Sequence, residues 1–394
     1  MMSFPIVFFA IATILGHSSS DSHLTSEIVG QVSKLKGKTI RNGDGDVHTV
    51  DLSNVTVTET VLKLFIQCNT LETLILSGTP IKDSDVVTIS KIKSLKHLDL
   101  ASTRITNGEL KHLIQLVNLE SLNLSQTSVS DEGIGFISSL PNLMSLDVSL
   151  TKIDNNAMHS LLTMKKLSDL SILGVDVDDQ GLETLAGCRQ LESLALDSIS
   201  ITDNGVRKLS VLASLKRLWL PRTSITDNSL RTISRFPAIQ FLDLDSTKIS
   251  DKGLSHLGLI RNLKSLRLAN NKITDSGLFN LKPLTEIEVL FLDSTEVTDD
   301  GLKMLSGMKK LKYLSLGRTA ITDEGIKTIS KFNLTKLSLY KTRISDTSLQ
   351  YLMKMPQLIL LNVRGCLSFT KEAVMKLRKA NMKCHLLSDL EGGR

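Results

Sequence analysis

The chain has 394 residues, 47 Lys and Arg against 41 Asp and Glu, and only 4% aromatic side chains. A net charge of +6 with both signs mixed along the chain gives no footing to a nucleic-acid surface built on charge. One Trp and 3 Tyr are too few rings for a rounded core of this size, so the composition suits a thin core of stacked aliphatic side chains and directs attention to internal repeats.

In chain order, the apolar run Phe4 to Gly16 has the length of a secretory signal and is too short to span a bilayer. Small residues follow it, and no Cys, so residues 1–20 are expected to be a cleaved leader without a lipid anchor, with an uncleaved anchor or a mistranslated start as the alternative. With such a leader the protein is expected to be secreted or otherwise extracytoplasmic, and it is expected to be a monomer; no later stretch reaches membrane-spanning length, so no integral membrane segment is expected. Residues 21–46 are expected to cap the fold. Ser26 to Leu35 reads as an amphipathic helix, and Lys38 to Arg41 with Asn42 to Gly45 as a strand and tight turn.

From Val47 to the last unit at Leu358, an L-x-x-L-x-L pattern returns every 24 residues, with one residue lost near Phe332 and Asn333; there are 14 copies. Numbering each unit from its first Leu, position 9 is Thr or Asn in Thr79, Thr103, Thr127, Thr151, Thr223, Thr247, Asn271, Thr295, Thr319 and Thr342. A short polar side chain there can bond backbone groups in the turn leaving the strand, and stacked residues would form a ladder inside the coil. Then comes Ile-Thr-Asp-x-Gly-Leu, clearest at Ile273 to Leu278. Thr or Ser followed by Asp reads as a helix start, the hydroxyl capping free N–H groups and the carboxylate facing the positive end of the helix. Each unit is therefore expected to be a strand, a turn and a short helix, stable only when stacked on its neighbours.

This pattern resembles the leucine-rich-repeat superfamily over roughly residues 47–390. It looks like the secreted leucine-rich-repeat proteins of environmental bacteria. More distantly it is similar to ribonuclease inhibitor and the arrays of F-box substrate receptors. The resemblance implies an α/β solenoid, a curved right-handed superhelix with parallel strands on the concave face and helices on the convex face, over residues 47–369. A closing cap and tail follow at 370–394, with a helix from Thr370 to Ala380 and a strand from Cys384 to Leu387. It also implies ligand capture, usually of proteins. An intracellular F-box-like receptor lacking its F-box is the alternative reading.

Sites for chemistry are not apparent. No zinc spacing, phosphate loop or dinucleotide fingerprint occurs, so no cofactor, metal or enzymatic activity is expected. His97 and Asp99 with Ser121 are read as a chance Ser-His-Asp set, and Asp99, Asn123 and Asp147 as solvated polar residues with weak calcium binding as the alternative. Cys68 and Cys188 are five units, roughly 24 Å, apart and cannot bridge. Cys366 and Cys384 are either a cap disulfide or two free buried thiols. The basic residues near the C-terminus, from Arg364 to Lys383, read as a solvated cap. Three N-x-S/T matches, at Asn54, Asn123 and Asn333, are taken as chance.

Because strand side chains alternate, positions 3 and 5 of each unit face solvent. The first six of these from Leu71 on contain no aromatic residue, whereas later units carry Trp219, Phe241, Phe291 and Tyr313, with Tyr340 just beyond a strand. Arg217, Arg222, Arg267 and Arg318 lie among them, with Asp243, Asp245 and Asp293 nearby. Exposed rings and Arg are enriched at binding hot spots. The expected partner-binding residues are therefore Arg217, Trp219, Arg222, Phe241, Asp243, Arg267, Phe291, Tyr313, Arg318 and Tyr340, taking a protein or, since rings also stack on sugars, a carbohydrate. The competing reading pairs Arg267 with Asp243 and has the rings merely tile the sheet.

Overall fold

The computed structural model describes residues 19–380 and 383–389. The expected leader at 1–20 lies outside them except for Ser19 and Ser20, which open a helix, Ser19–Lys34. The chain divides into two compact units. One runs up to Ile153 and includes Thr163–Leu167; the other comprises Asp154–Leu162 and the residues from Ser168 on.

In the first unit, β1 (Lys38–Arg41) pairs antiparallel with β2 (Val47–Asp51). β3 (Thr73–Ile75), β4 (His97–Asp99), β5 (Ser121–Asn123) and β6 (Ser145–Asp147) follow in parallel, each beside its sequence neighbour. In the second unit, nine parallel neighbours form β7 (Asp169–Ser171), β8 (Ser193–Ala195), β9 (Arg217–Trp219), β10 (Phe241–Asp243), β11 (Ser265–Arg267), β12 (Val289–Phe291), β13 (Tyr313–Ser315), β14 (Lys336–Ser338) and β15 (Leu360–Asn362). β16 (His385–Leu387) closes that sheet beside β15. Helices, mostly of seven residues or fewer, connect consecutive strands, some continuing in or replaced by 3-10 turns such as Leu110–Gln115. The architecture is the leucine-rich-repeat solenoid that the 24-residue pattern predicts.

The spacing of the leucines explains the core. Leu263, Leu266 and Leu268 are all fully buried, as are Ile273 and Leu278 beyond the turn. Full burial of such a side chain stabilises by roughly 1.5–3 kcal/mol, and one unit alone has no surface to bury it against. At the first unit's end, Ile28 and Val32 of the Ser19–Lys34 helix supply that surface. At the other end Ala373, Val374 and Leu377 of the helix Lys371–Ala380 do so.

The exit from every strand requires a left-handed backbone at position 8. All 14 repeats have it, with φ between 53° at Arg222 and 71° at Gly365, and most of these residues are not glycine. A left-handed L-residue costs about 1–2 kcal/mol. The compensation is a hydrogen bond to the next coil: Ser102 N–H donates to Ser125 O at 2.8 Å, and Arg222 N–H to Asp245 O at 2.9 Å. Position 9 then ties the turn to its own strand, as in Thr103 Oγ1 donating to Leu100 O at 2.6 Å and Thr319 Oγ1 to Leu316 O at 2.6 Å. The expected ladder between coils is therefore carried by backbone. Where Thr is replaced this position bridges coils, Asn271 Nδ2 donating to Leu244 O at 2.8 Å and Cys366 Sγ to Leu339 O at 2.9 Å.

The Thr-Asp-x-Gly motif has a second role that links units. The Thr caps its own helix, Thr274 Oγ1 accepting from Ser276 N–H at 3.2 Å. The Asp that follows the cap serves the next coil. Asp251 accepts Thr274 N–H at 2.9 Å and Thr274 Oγ1–H at 2.6 Å, and Asp275, Asp299 and Asp179 do the same for Thr298, Thr322 and Thr202. The Gly admits that carboxylate: a Cβ on Gly277 would lie 2.2 Å from Asp251 Oδ1, and one on Gly325 2.3 Å from Asp299 Oδ1. Two units carry Ser in place of this Gly. Ser229 is fully buried and donates to Asp203 Oδ1 at 2.5 Å, and Ser348 donates likewise to Asp323. Burial alone would raise Asp203, but the hydroxyls of Ser229 and Thr226 and the N–H of Thr226 outweigh it and hold its carboxyl below the usual range.

All four cysteines are free thiols. Cys366 stands at position 9 and ties its turn to the preceding coil, its Sγ donating to Leu339 O at 2.9 Å, while Cys384 is half-buried. Burial pushes both thiols up.

Crowding at the motif glycine generates a stability prediction. Gly277→Ala should lose about 1–3 kcal/mol in urea unfolding, despite the better helix propensity of Ala. Gly307→Ala, whose Cβ would meet only Lys282 O at 3.9 Å, should stay within about 0.5 kcal/mol of the parent. Equal losses would contradict the role assigned to the carboxylate.

Candidate ligand-binding face

In the first unit the register places Asp99, Asn123 and Asp147 side by side on β4, β5 and β6. Each uses one side-chain oxygen to accept the N–H two residues on, at Ala101, Ser125 and Ser149, all at 2.9 Å. These residues thus satisfy the turn where the strand ends. Burial pushes the Asp99 carboxyl up, and Asp147 and Asp51 add to it. Among the described residues no group of three or more His, Cys, Asp or Glu is placed to hold a metal ion. His97 pairs in register with Ser121, and burial lowers its imidazole.

The second unit carries the ten residues singled out above, and the structure sorts them into three neighbourhoods. The first centres on Arg267. Its guanidinium lies 2.9 Å from Asp243 Oδ2 and 2.5 Å from Asp245 Oδ2, and stacks 4.3 Å from the centre of the Phe291 ring. Phe291 in turn meets Tyr313 edge-on at 4.8 Å, and Lys336 Nζ sits 5.9 Å over Tyr313. Carboxylates, cation and rings therefore form one continuous row across β10 to β14. Asp243 is only 3% exposed. Burial first, and Asp245 second, push its carboxyl up to about 7 against the pull of Arg267. Burial would lower Arg267, but Asp243 and Asp245 outweigh it and raise it.

The second neighbourhood lies on β9 and β10. Trp219 aligns with Asp243, and Arg217 with Phe241. Arg217 reaches Asp169 at 3.4 Å, and Phe241 is 36% exposed, beside Ser265 on its other flank. Arg222, at the left-handed position, pairs with the buried Asp197 and donates from Nε to Ser198 Oγ at 2.7 Å. The third neighbourhood is in the turns after β13 and β14, where Arg318 and Lys341 lie 5.5 and 5.2 Å from the Tyr340 ring. Hydrogen bonds from Lys341 and Arg318 lower the Tyr340 phenol.

Four segments, residues 67–90, 115–138, 260–282 and 307–330, match a family model described as leucine-rich repeat. The chain carries leucine-rich repeats. A search of curated proteins finds no match. Among solved structures it is similar to an internalin, InlF, of Listeria monocytogenes (24% identity, 87% of this chain and 95% of that one, TM-score 0.58). It is also similar to a leucine-rich-repeat protein of Leptospira interrogans (19% identity, 89% and 93%, TM-score 0.52). A third is the ectodomain of the Arabidopsis receptor kinase HAESA, solved with a peptide hormone (17% identity, 89% and 68%, TM-score 0.54). At these identities the likeness is one of fold.

Sequence reading of this leucine-rich-repeat chain missed Lys336 and Lys341, which bracket the tyrosines. Lys336 stands at position 3 and was legible as solvent-facing, but a lysine there gives no signal until Tyr313 is known to be its register partner. Lys341 and Arg318 share the left-handed position 8, which L-x-x-L-x-L does not mark. Among the described residues no helix is long and apolar enough to cross a membrane.

The buried acid at the centre of the row makes stability depend on pH. Asp243 holds its proton more tightly in the folded chain than unfolded, where aspartates titrate near about 3.9. Its contribution is therefore lost as pH rises from about 4 through about 7. Asp243→Asn keeps the acceptor for Asp245 N–H, at 2.9 Å in the parent, and removes the titration. Calorimetric melting should show a smaller loss of stability between about pH 5 and about pH 8 in the variant than in the parent; an unchanged pH slope would contradict this assignment.

Proposed function

We propose that this protein is a non-catalytic binding module that captures a protein partner on the exposed sheet face of its second unit, outside the cytoplasm. The observation that carries this reading is the run of rings and arginines at positions the core does not need. The leucines of the same strands, Leu218, Leu242, Leu266, Leu290 and Leu314, are buried, while Phe241 projects from the sheet and Trp219, Phe291 and Tyr313 are half-exposed. Rings on a solvent-facing sheet supply large contact areas that lose little conformational entropy on binding. The complex of the HAESA ectodomain with a peptide hormone is a precedent for this fold as a binding scaffold.

The internal pairing changes the expected role of some residues. Asp243 and Arg267 fix Phe291, and act as support. Phe241, Trp219, Arg217 and Arg222 are the residues best placed to meet a partner. Extracytoplasmic action is proposed from the leader-like run at Phe4 to Gly16.

The test is quantitative capture, by the full chain, of its partner from the extracellular fraction of its source, followed by affinity measurement. Trp219→Ala and Phe241→Ala should each weaken binding by about thirtyfold or more, the effect of losing a hot spot, with little change in melting temperature. Phe279→Ala, an exposed ring on a helix, should leave capture unchanged. Full capture by both sheet variants, or loss only through unfolding, would refute the proposal.

A further inference from the structure

The cations on this face are not equivalent. Arg217, Arg222 and Arg267 each face a carboxylate: Asp169, Asp197, and Asp243 with Asp245. Further along the same sheet the pattern changes. Among the described residues, Arg318, Lys336, Lys341, Arg343 and Arg364 enter no ion pair, and all five are exposed. The acids at this edge are engaged by the backbone of the turns. Asp293 accepts Ser315 Oγ–H at 2.7 Å and Gly317 N–H at 2.9 Å, and Asp389 accepts Gly365 N–H.

The turn ladder gathers these cations. Arg318 N–H donates to Tyr340 O at 2.6 Å, and Lys341 N–H to Arg364 O at 2.8 Å, so Arg318, Lys341 and Arg364 stand in consecutive coils. Tyr340 lies between the first two, and Tyr313 holds Lys336. An aromatic face within about 6 Å orients a cation without neutralising it. Lys341, Arg343, Gly365 and Leu367 also line one depression, and Leu367 is 97% exposed there.

We propose that the last three repeats form a subsite for a short acidic peptide segment with a flanking apolar residue, belonging to the captured partner. This rests on the function proposed above and names the chemistry of its ligand. Consecutive coils are about 4.8 Å apart, so Arg318 to Arg364 spans roughly 10 Å, the reach of about three extended residues. On the N-terminal side of that stretch Arg217, Arg222 and Arg267 are already paired. Toward the middle of the sheet a long, uniformly charged nucleic acid or sulfated glycan would meet cations already paired, whereas a few carboxylates followed by an apolar side chain match the cations and Leu367. Carboxylates bound to Arg and Lys form charge-assisted hydrogen bonds, and Arg can hold them through two parallel bonds.

The probe is a fluorescein-labelled hexapeptide, Glu-Asp-Glu-Leu-Glu-Glu, titrated with the full chain by fluorescence anisotropy. The comparison arms are Gln-Asn-Gln-Leu-Gln-Gln, a heparin hexasaccharide and a thymidine hexanucleotide. The variant is R318Q/K341Q/R364Q. Gln126 already occupies the repeat position of Arg318 and Lys341 at φ 57°, so Gln keeps the turn there. Circular dichroism melting checks the fold, and the three single variants are measured if the triple variant does not fold.

The acidic peptide should bind, the neutral one should not, and affinity should fall at least tenfold in the triple variant and with added salt. Equal binding by parent and triple variant, or binding of the saccharide or oligonucleotide without the peptide, overturns the proposal. Partner capture separates the two claims. Full capture by the triple variant alongside loss in Trp219→Ala overturns the subsite and leaves the capture function standing. Peptide binding that depends on the three cations, with partner capture unaffected by Trp219→Ala and Phe241→Ala, supports the subsite and overturns the proposed sheet-face function.

Discussion

One carboxylate shared between neighbours sets the spacing of this fold. In each motif the Asp that follows the helix cap binds the N–H and hydroxyl of the next unit's cap, as Asp251 does with Thr274 and Asp275 with Thr298. Hydrogen bonds to a charged acceptor contribute roughly 1.5–3 kcal/mol each, and here they act between units. The contact fixes the distance between consecutive helices and so the stacking of the leucines beneath. Its steric consequence is the motif glycine: a Cβ there would crowd the carboxylate, as at Gly277, and Ser is accommodated because its hydroxyl becomes a third donor, as at Ser229.

With helices and turns locked this way, the solvent-facing strand positions carry little structural duty. In the first unit those positions serve the turns: Asp99, Asn123 and Asp147 accept backbone N–H groups. In the second unit Asp243 and Asn362 keep that duty, and other groups join it. Asp245 and Asp293 at position 7 accept the N–H of the next coil, at Ala269 and Gly317, and Arg267 and the rings occupy the sheet. The cost of burying Asp243 falls on the same row, where Arg267 offsets part of it. A buried ionic group that holds an aromatic stack in one orientation preorganises a surface, and preorganisation reduces the entropy lost on binding.

The fold was legible because L-x-x-L-x-L and T-D-x-G-L repeat at one spacing, and each position has one physical job. The helix cap at Thr274 and the burial of Leu263, Leu266 and Leu268 follow from that pattern alone. Two features were hidden. The left-handed position 8 is filled by Ser, Asn, Arg, Lys, Gln, Leu and Gly, so composition does not mark it; only the inter-coil hydrogen bond explains why such different residues share one backbone. The Asp in the motif reads correctly as a helix-start residue, yet its partner lies 23 residues on in Thr274 and is invisible within one unit. The Cys366 and Cys384 alternative was open for a similar reason: Cys366 stands at the Thr position, and its bond crosses to the preceding coil, at Leu339 O.

For the candidate surface, sequence reading located the rings but weighed capture against tiling as rival readings. Arg267 and Phe291 tile, and in doing so they position Tyr313; Phe241 and Trp219 flank the row. The most direct measurement is site-specific photo-crosslinking, with p-benzoylphenylalanine placed at Phe241 on the sheet and, separately, at Phe279 on a helix. Partner crosslinked from Phe241 and absent from Phe279 is the predicted result. Crosslinking from Phe279 with none from Phe241 would contradict the account.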